Sequence, residues 1–418
     1  MDAYVPCTGS VTRLRIEKPP LAMKKSLLRI PYTSEFAAPT IFPAAANGLH
    51  GAVAALHEFL TSSVPNSRGL PDSTVVLSGA GLSVASGLAD YRGQNGTYRV
   101  NKSYRPIYYH EYLSSHEARK RYWARSFLGW PTFHQAKPNT GHYAVRDLGK
   151  HGNVRSVITQ NVDSFHPQAH PDIPTLELHG YLRSTVCTSC HHEYPRDLFQ
   201  NDLARLNPAW AAFLAEAIAS GALETEDPTE RRARGMRANP DGDMDLPDAP
   251  YTTFRYPACP RCLANPPLGP DGTRQIVEVD HEGAWKLPST AGTLKPGVIM
   301  FGENIPSHVK IAAEQAVDGA GRLLVLATSL ATYSAWRLAK RAKDRGMPVA
   351  IVNLGGVRGE ETFVADLDPS QGGAEGVRLD MSTEQLLPEL VRALRQSSPE
   401  SSLPTEPSLL KSEGVGVF

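Results

Sequence analysis

The chain has 418 residues, 41% hydrophobic and 21% charged, and its 43 basic and 43 acidic residues give a formal net charge of zero. A chain of this length and composition is long enough for two or three globular domains with buried cores. Zero net charge argues against direct nucleic-acid binding, and no apolar run approaches the roughly 20 residues of a membrane span, so we expect neither partner.

Residues 1–47 show little helical periodicity and no long apolar segment, which predicts a disordered leader. The first 36 positions hold six Lys and Arg against three acidic residues, which is compatible with a mitochondrial presequence. Asp2 and Glu17 are unusual in such a presequence, so a plain leader, with the protein in the cytoplasm or nucleus, is the alternative.

Strand and helix patterns alternate beyond the leader. A helix over 48–63 places Val53, Leu56, Phe59 and Leu60 on one face. Strands are predicted at 74–78, 154–159, 321–328 and 348–354, and further helices at 117–130, 307–317 and 334–346. Apolar, β-branched strands between helices indicate an α/β fold with a doubly wound, Rossmann-like parallel sheet.

The alternation is interrupted between two halves of this fold. We assign 48–182 and 294–395 to the Rossmann-like domain, 183–293 to an inserted zinc-binding small domain, and 396–418 to a disordered tail. The helix that closes the second half begins at Ser382 or just before Pro388.

The first strand runs into glycines. Gly79, Ala80 and Gly81 could bring backbone N–H groups close to a pyrophosphate, although a plain tight turn is the alternative. The third glycine of a dehydrogenase fingerprint comes late, at Gly87, and 90–92 reads Asp-Tyr-Arg where a crossover helix should continue. This spacing disfavours a hydride-transferring enzyme.

Polar residues follow two further apolar stretches. Gln160, Asn161 and Asp163 come after the 154–159 strand, where α/β sheets bind ligands, although such a turn can also simply cap a helix. His179 could act as a general base near neutral pH, or be structural. The strand predicted at 297–304 is either an ordinary sheet strand or an edge that pairs with an extended peptide.

Four of the five cysteines form two C-x-x-C pairs, Cys187 with Cys190 and Cys259 with Cys262. Four thiolates in two such pairs suit a closed, tetrahedral zinc site that is structural rather than catalytic. Four unrelated thiols are the alternative, and a redox role is disfavoured because neither pair begins a βαβ helix.

Together and in this order, the motifs resemble the sirtuins, the NAD-dependent protein deacylases. The resemblance covers about 48–395 and rests on GAGLSVASGLADYR (79–92), TQNVDSFH (159–166), ELHG (177–180), the cysteine pairs, VIMFGE (298–303), ATSL (327–330) and AIVN (350–353). ARKRYWARSFLGWP (118–131) and LNPAW (206–210) are similar to the class II, mitochondrial branch of the sirtuin four type.

The resemblance implies an enzyme that consumes NAD, transfers the acyl group of an acyl-lysine protein to ADP-ribose and releases nicotinamide. It implies NAD contacts at Gly79, Ala80, Gly81, Asp90, Tyr91, Arg92, Gln160, Asn161, Asp163, Thr328, Ser329 and Asn353. It implies catalytic roles for His179, Asn161 and Asp163, and substrate contacts at Val298, Met300, Phe301 and Gly302. It assigns structural zinc to Cys187, Cys190, Cys259 and Cys262.

This sequence departs from the family pattern at several points. Ala327 replaces a glycine and is expected to crowd the phosphate approach, Gly297 stands where Asp is frequent, and the zinc module is enlarged. The alternative functions are an NAD-dependent ADP-ribosyltransferase and a weakly active regulator that binds NAD or ADP-ribose. Acyl preference is not predicted, and a monomer is the default oligomeric state.

Overall fold

The structure is a computed structural model that describes residues 30, 32–63, 72–102, 104–221, 237–246 and 248–397. The helices are α1 (Leu49–Thr61), α2 (Thr97–Val100), α3 (Tyr109–Ser114), α4 (His116–Gln135), α5 (Thr140–Lys150), α6 (Phe165–Ala169), α7 (Arg196–Leu206), α8 (Pro208–Ala219), α9 (Pro260–Ala264), α10 (Ser307–Asp318), α11 (Tyr333–Asp344), α12 (Glu360–Val364) and α13 (Thr383–Ser397). The strands are β1 (Thr74–Ser78), β2 (Val154–Thr159), β3 (Thr175–Glu177), β4 (Gly180–Cys187), β5 (Glu193–Pro195), β6 (Arg237–Ala238), β7 (Met244–Asp245), β8 (Leu294–Val298), β9 (Arg322–Leu326), β10 (Val349–Val352) and β11 (Gly376–Leu379).

Six strands form the central sheet in the order β11-β10-β9-β1-β2-β3, and every neighbouring pair is parallel. The central strand β1 is buried along its whole length, as its apolar sequence predicts. Because the strands are parallel, the loops after β1, β2, β9 and β10 meet at one edge. The predicted doubly wound α/β fold is confirmed.

Helices cover both faces of this sheet. One face packs against α1, α5 and α13, and the other packs against α10 and α11. Helix α1 buries Leu56, Phe59 and Leu60 of its predicted face, and Val53 is partly buried against the same core. Helix α13 begins at Thr383, with Pro388 inside it, so the earlier of the two predicted starts holds.

The small domain has its own core around a three-stranded sheet of order β5-β4-β8. Helix α4 packs into this core through Trp123 and Phe127, and the Trp123 ring lies 4.4 Å from that of Phe199. The boundaries 48–182 and 183–293 therefore do not separate the two cores. An amphipathic pattern does not tell which of two apolar cores a helix will join, which explains the difference.

The leader boundary predicted at residue 47 also differs from the structure. Phe42 pairs with Arg378 of β11 through two backbone hydrogen bonds of 2.8 and 3.0 Å, and Ala44–Asn47 form a 3-10 helix. A single strand-like bridge has no periodic pattern to reveal it. The rest of the leader, 1–29, and the tail from 398 onward lie outside the described residues.

The strand predicted at 297–304 lies earlier in the chain. It spans Leu294–Val298, and a turn at Met300–Glu303 follows, closed by the Glu303 N–H on the Met300 carbonyl at 2.9 Å. Within the described ranges, no helix has the length and apolar character needed to cross a membrane.

Candidate active site

A cavity of about 1400 Å³ opens where the sheet loops meet. It is lined by all but one of the residues predicted to bind NAD or substrate or to act in catalysis, namely Ala80, Gly81, Asp90, Tyr91, Arg92, Gln160, Asn161, Asp163, His179, Val298, Met300, Phe301, Gly302, Thr328, Ser329 and Asn353. The exception is Gly79, which is not on the cavity wall.

Close backbone approach explains the glycines after β1. A Cβ atom on Gly79 would lie 2.5 Å from the Cβ of Thr328, so no larger residue fits there without a shift. The Gly81 N–H donates to the Ala327 carbonyl at 3.1 Å, which joins the loops after β1 and β9. The chain then continues as a 3-10 helix over Ala80–Ser86 rather than as an α-helix.

Ala327 has a backbone φ of +50°, in the left-handed region that favours glycine. Its Cβ would lie 3.1 Å from a Cβ built on Gly81, so the methyl group stands directly against the glycine turn. A side chain at position 81 would therefore meet this methyl group, and the backbone at Ala327 is strained, whereas crowding of a phosphate stays a prediction.

Asn161 and Asp163 belong to one buried hydrogen-bond network. The Ser83 hydroxyl donates to Asp163 at 2.7 Å, and the Asn161 amide donates to the Ser83 oxygen at 3.1 Å. Among the described residues, the Oδ1 atom of Asn161 is buried with no hydrogen-bond partner. Burial raises the pKa of Asp163 to about 6. Because Asn161 also lines the cavity, its unsatisfied acceptor marks this end of the cavity as suited to a ligand with an amide N–H group.

The Gln160 side chain is held between two threonines. Its amide donates to Thr328 Oγ1 at 2.9 Å, and its oxygen accepts from Thr332 Oγ1 at 2.9 Å. These bonds connect the loop after β2 to the loop after β9, so Gln160 shapes the cavity wall.

Both ring nitrogens of His179 are hydrogen-bonded. Nδ1 lies 3.2 Å from the Gln160 carbonyl oxygen, and Nε2 lies 2.8 Å from Ser334 Oγ. Burial lowers the pKa of His179 to about 4, because charging the ring in an apolar surrounding is unfavourable. The imidazole is therefore neutral at pH 7 and able to accept a proton.

Residues 90–102 and Tyr104, here called the 90–104 loop, contribute to the cavity wall. The Asp90 carboxylate accepts from the Gly93 N–H at 2.9 Å, and burial raises the pKa of Asp90. The Tyr91 ring stacks on Tyr98 at 5.4 Å and meets Phe301 edge-on at 6.4 Å. The loop is thus held over the cavity by aromatic contacts on both sides.

The predicted substrate residues lie at the end of the edge strand β8 and in the turn after it. Val298 and Met300 are buried, and the Ile299 N–H donates to the His179 carbonyl at 2.7 Å. The Glu303 carboxylate accepts from the Met300 N–H at 2.9 Å and pairs with Lys295 at 3.2 Å. These contacts fix the segment beside the histidine.

The four C-x-x-C cysteines come together in the small domain. Their Sγ atoms lie within 4.8 Å of one another, with Cys187 to Cys262 at 3.6 Å and Cys190 to Cys259 at 3.7 Å. A tetrahedral zinc ion with bonds of about 2.3 Å needs sulfur atoms roughly 3.8 Å apart. The cluster fits a structural zinc site.

Comparison with known proteins agrees with this geometry. The sequence profile described as the Sir2 family matches residues 79–334, more than half of the chain. A relative named NAD-dependent protein deacylase SIR4, from Batrachochytrium dendrobatidis, is 36% identical over 326 residues, which are 77% of this chain and 90% of the relative. The chain belongs to the Sir2 family, the sirtuins.

Further relatives support the assignment. The NAD-dependent protein deacylase SRT2 of Arabidopsis thaliana is 37% identical to this sirtuin over 287 residues, which are 68% of this chain and 67% of the relative. A solved Sir2 homologue in complex with ADP-ribose is 23% identical, with a TM-score of 0.50, and the match covers 84% of this chain and 98% of that one. The structural likeness supports the fold, and the name SIR4 agrees with the predicted sirtuin four type.

A hairpin inside the zinc module of this sirtuin was not predicted from its sequence. Strands β6 and β7 present Asp241 to the cavity, where it accepts a hydrogen bond from the Tyr91 hydroxyl. Asp243 pairs with Arg125 of α4 at 2.9 Å, and both side chains are nearly inaccessible. The Pro-Asp-Gly-Asp turn at 240–243 was visible in the sequence, but nothing indicated what it would contact.

A second missed feature is residues 32–38, here called the N-terminal strap. Residues 34–38 line the cavity, the Tyr32 carbonyl accepts from Arg92 Nε at 3.0 Å, and Glu35 pairs with Arg99 at 2.6 Å. At its other side the Arg358 guanidinium lies 5.2 Å from the Tyr32 ring centre. The strap therefore joins the 90–104 loop to the loop after β10.

Proposed function

We propose that this protein is an NAD-dependent protein-lysine deacylase that transfers the acyl group to ADP-ribose and releases nicotinamide. The observation that carries the proposal is the position of His179. This partly buried, neutral imidazole lies between the pocket of Asn161 and Asp163 and the segment after β8. The names of the relatives, deacylase and deacetylase, support the same activity.

The residues present fit NAD. The Ala80 backbone N–H, with the Thr328 and Ser329 hydroxyls, would hold the pyrophosphate, because the N–H groups of Gly79 and Gly81 already donate to the Leu326 and Ala327 carbonyls. The unpaired Oδ1 of Asn161 would accept the nicotinamide amide N–H. Asp163 would complete this end of the pocket, and the ring of Tyr91 would shield the reacting ribose from water.

Asn353 supports the adenosine end of the same proposal. It is nearly buried on the cavity wall, and its side chain donates to the carbonyls of Leu354 and Gly355 at 3.0 and 3.1 Å. Its side-chain oxygen would then be available to a ribose hydroxyl.

An acyl-lysine protein would approach the edge strand β8 as an extended peptide. In the three-stranded sheet, β8 lies at the edge, and Val298, Met300, Phe301 and Gly302 line the cavity beside it. Backbone pairing at an edge gives affinity for an extended peptide regardless of its sequence. The lysine side chain would then point toward His179.

When bound, NAD supplies a ribose carbon that the acyl oxygen attacks as nicotinamide leaves. The role of the protein is to position both substrates and move one proton. His179 accepts the proton of a ribose hydroxyl, so that this oxygen can attack the acyl carbon. Holding the reacting groups in line lowers the activation free energy, by up to about 7–11 kcal/mol for well-aligned reactants.

A panel of acyl-lysine peptides tests the proposal. Acetyl, succinyl, branched and lipoyl peptides are incubated with NAD, and released lysine and nicotinamide are measured by mass spectrometry. We expect at least one peptide to release both in equal amounts. If no peptide reacts but labelled ADP-ribose is transferred to protein, the enzyme is an ADP-ribosyltransferase; if neither reaction occurs, it is a binding regulator.

We also propose a mitochondrial location, supported by the excess of basic residues in the first 36 positions. Imaging of the full chain with a C-terminal tag should place it in mitochondria. Replacing Arg13 and Arg15 by Glu should abolish this. Cytoplasmic or nuclear signal from the unaltered chain would contradict the proposal.

A further inference from the structure

Ser334 is a candidate for a further functional residue beside the general base His179. It lies in the first turn of α11, lines the same cavity and places its hydroxyl 2.8 Å from His179 Nε2. The sequence pattern did not single it out, because 155 positions separate the two residues.

The hydrogen bonds fix which nitrogen of His179 carries the proton. The partner of Nδ1 is the Gln160 carbonyl, which can only accept, so Nδ1 carries the hydrogen. In the neutral ring Nε2 is then the basic nitrogen, and the Ser334 hydroxyl donates to it. Nε2 of His179 can therefore accept a proton, but its lone pair already accepts the hydrogen bond from Ser334.

Hydrogen bonds hold the start of α11 beside His179 and Gln160. Gln160 binds His179 through its carbonyl and accepts from Thr332 through its side-chain oxygen at 2.9 Å. Thr332 is the N-cap residue of α11, two positions before Ser334, and its side chain bonds Gln160 rather than the helix. The start of α11 is thus tied to this site by the Thr332–Gln160 and Ser334–His179 hydrogen bonds, and displacing Ser334 from Nε2 would break one of them.

A substrate hydroxyl can reach Nε2 either by displacing Ser334 or through it. We propose that Ser334 is a proton relay, through which the proton leaves the ribose hydroxyl and reaches His179. This inference rests on the proposed deacylase function and names a further residue of the same site.

The relay balances in atoms and charge. The substrate O–H bond breaks as its proton bonds to Ser334 Oγ, and the original Oγ–H bond breaks as that proton bonds to Nε2. The products are a substrate alkoxide and an imidazolium, and Ser334 is again a neutral hydroxyl. Its orientation is then reversed, because Nε2–H now donates to Oγ.

Substitution distinguishes the relay from displacement. In Ser334→Ala, kcat for deacylation should fall at least 10-fold, with the peptide KM within twofold. Ser334→Thr retains a hydroxyl and should keep most of the rate. Ser307→Ala, at the exposed first residue of α10 and off the cavity wall, is the matched control. A Ser334→Ala enzyme as fast as the unaltered protein, or faster, would overturn the relay.

A second measurement needs no substrate. Nitrogen-15 NMR of ring-labelled histidine in the unliganded protein should show His179 protonated at Nδ1, with a hydrogen-bonded, unprotonated Nε2. The Nε2 signal should move downfield in Ser334→Ala as the hydrogen bond is lost. A proton on Nε2, or no change in the variant, would contradict the relay. Failure of every peptide in the panel would instead overturn the proposed function, whatever this spectrum shows.

Discussion

At the residue scale, the backbone conformation of Ala327 conflicts with its side chain. Its φ of +50° is unfavourable for a residue with a Cβ atom, and its methyl group abuts the glycine turn. The fold holds it through a backbone bond from the Ala327 N–H to the Val352 carbonyl at 2.8 Å and one from Gly81 to the Ala327 carbonyl. The strain therefore lies where the pyrophosphate is expected.

Ala327→Gly should stabilise the protein by up to about 1 kcal/mol, because glycine adopts this conformation without strain. Ala331→Gly is the control, since that buried alanine does not have a positive φ. This variant should lower the free energy of unfolding by roughly 0.5–1 kcal/mol. Urea unfolding measures both. A destabilised Ala327→Gly variant would show that the methyl contact outweighs the strain.

At the scale of elements, the N-terminal strap and the 90–104 loop order each other. The Glu35–Arg99 pair is partly exposed, with side-chain accessibilities of 72% and 32%. Such a pair contributes about 0–1 kcal/mol to folding. Its effect should therefore appear in cofactor binding, where a loosened loop must be ordered.

Glu35→Gln should raise the KM for NAD two- to fivefold and change unfolding by less than about 1 kcal/mol. Steady-state kinetics with varied NAD measures this. Glu389→Gln, which breaks the Glu389–Arg392 pair on α13, should leave KM unchanged. A KM for NAD that is unchanged or lower in Glu35→Gln would show that the strap does not support the loop.

The zinc cluster connects two segments of the small domain that are distant in sequence. It joins the end of β4 to α9, two segments that are 69 to 75 positions apart at the paired cysteines. Elemental analysis should find one zinc per chain, and Cys262→Ser should lose the metal and lower the melting temperature. Cys7→Ser should retain the zinc. A metal-free native protein of undiminished stability would reject the site.

At the scale of the whole molecule, buried histidines link stability to pH. Desolvation lowers the pKa of His142 to about 3 and that of His179 to about 4, and it also lowers the pKa values of His166 and His170. Below about pH 6.5, the pKa of a histidine in the unfolded chain, the unfolded chain binds more protons than the folded protein. The free energy of unfolding therefore decreases as the pH is lowered. Asp163 and Asp241 oppose this below about pH 6, because burial raises the pKa of each to about 6.

The histidines outnumber these carboxyl groups, so the free energy of unfolding should fall by about 2 kcal/mol or more from pH 7.5 to 5.5. Urea unfolding at both values checks this. His142→Gln should reduce the difference, whereas His50→Gln, at an exposed position of α1, should not. An equal difference in all three proteins would contradict the assignment.

The residues of the cavity wall that directly follow strands and carry recognisable motifs were predictable. Gln160 and Thr328 are examples: parallel strands must bring their loops to one edge. The strap, Asp241 and Ser334 were not predictable. Each reaches the cavity through contacts between distant segments, and neither periodicity nor local spacing encodes such contacts. The core that α4 joins was missed for the same reason.

We propose above all that NAD-dependent deacylation occurs in this cavity with His179 as the base. The most direct test compares His179→Ala with the unaltered protein, and with His50→Ala, on the best peptide of the panel. We predict that kcat/KM falls 10²- to 10⁴-fold in His179→Ala, as expected for loss of a general base, with an unchanged melting temperature. Equal release of lysine and nicotinamide by His179→Ala at the unaltered rate would contradict the account.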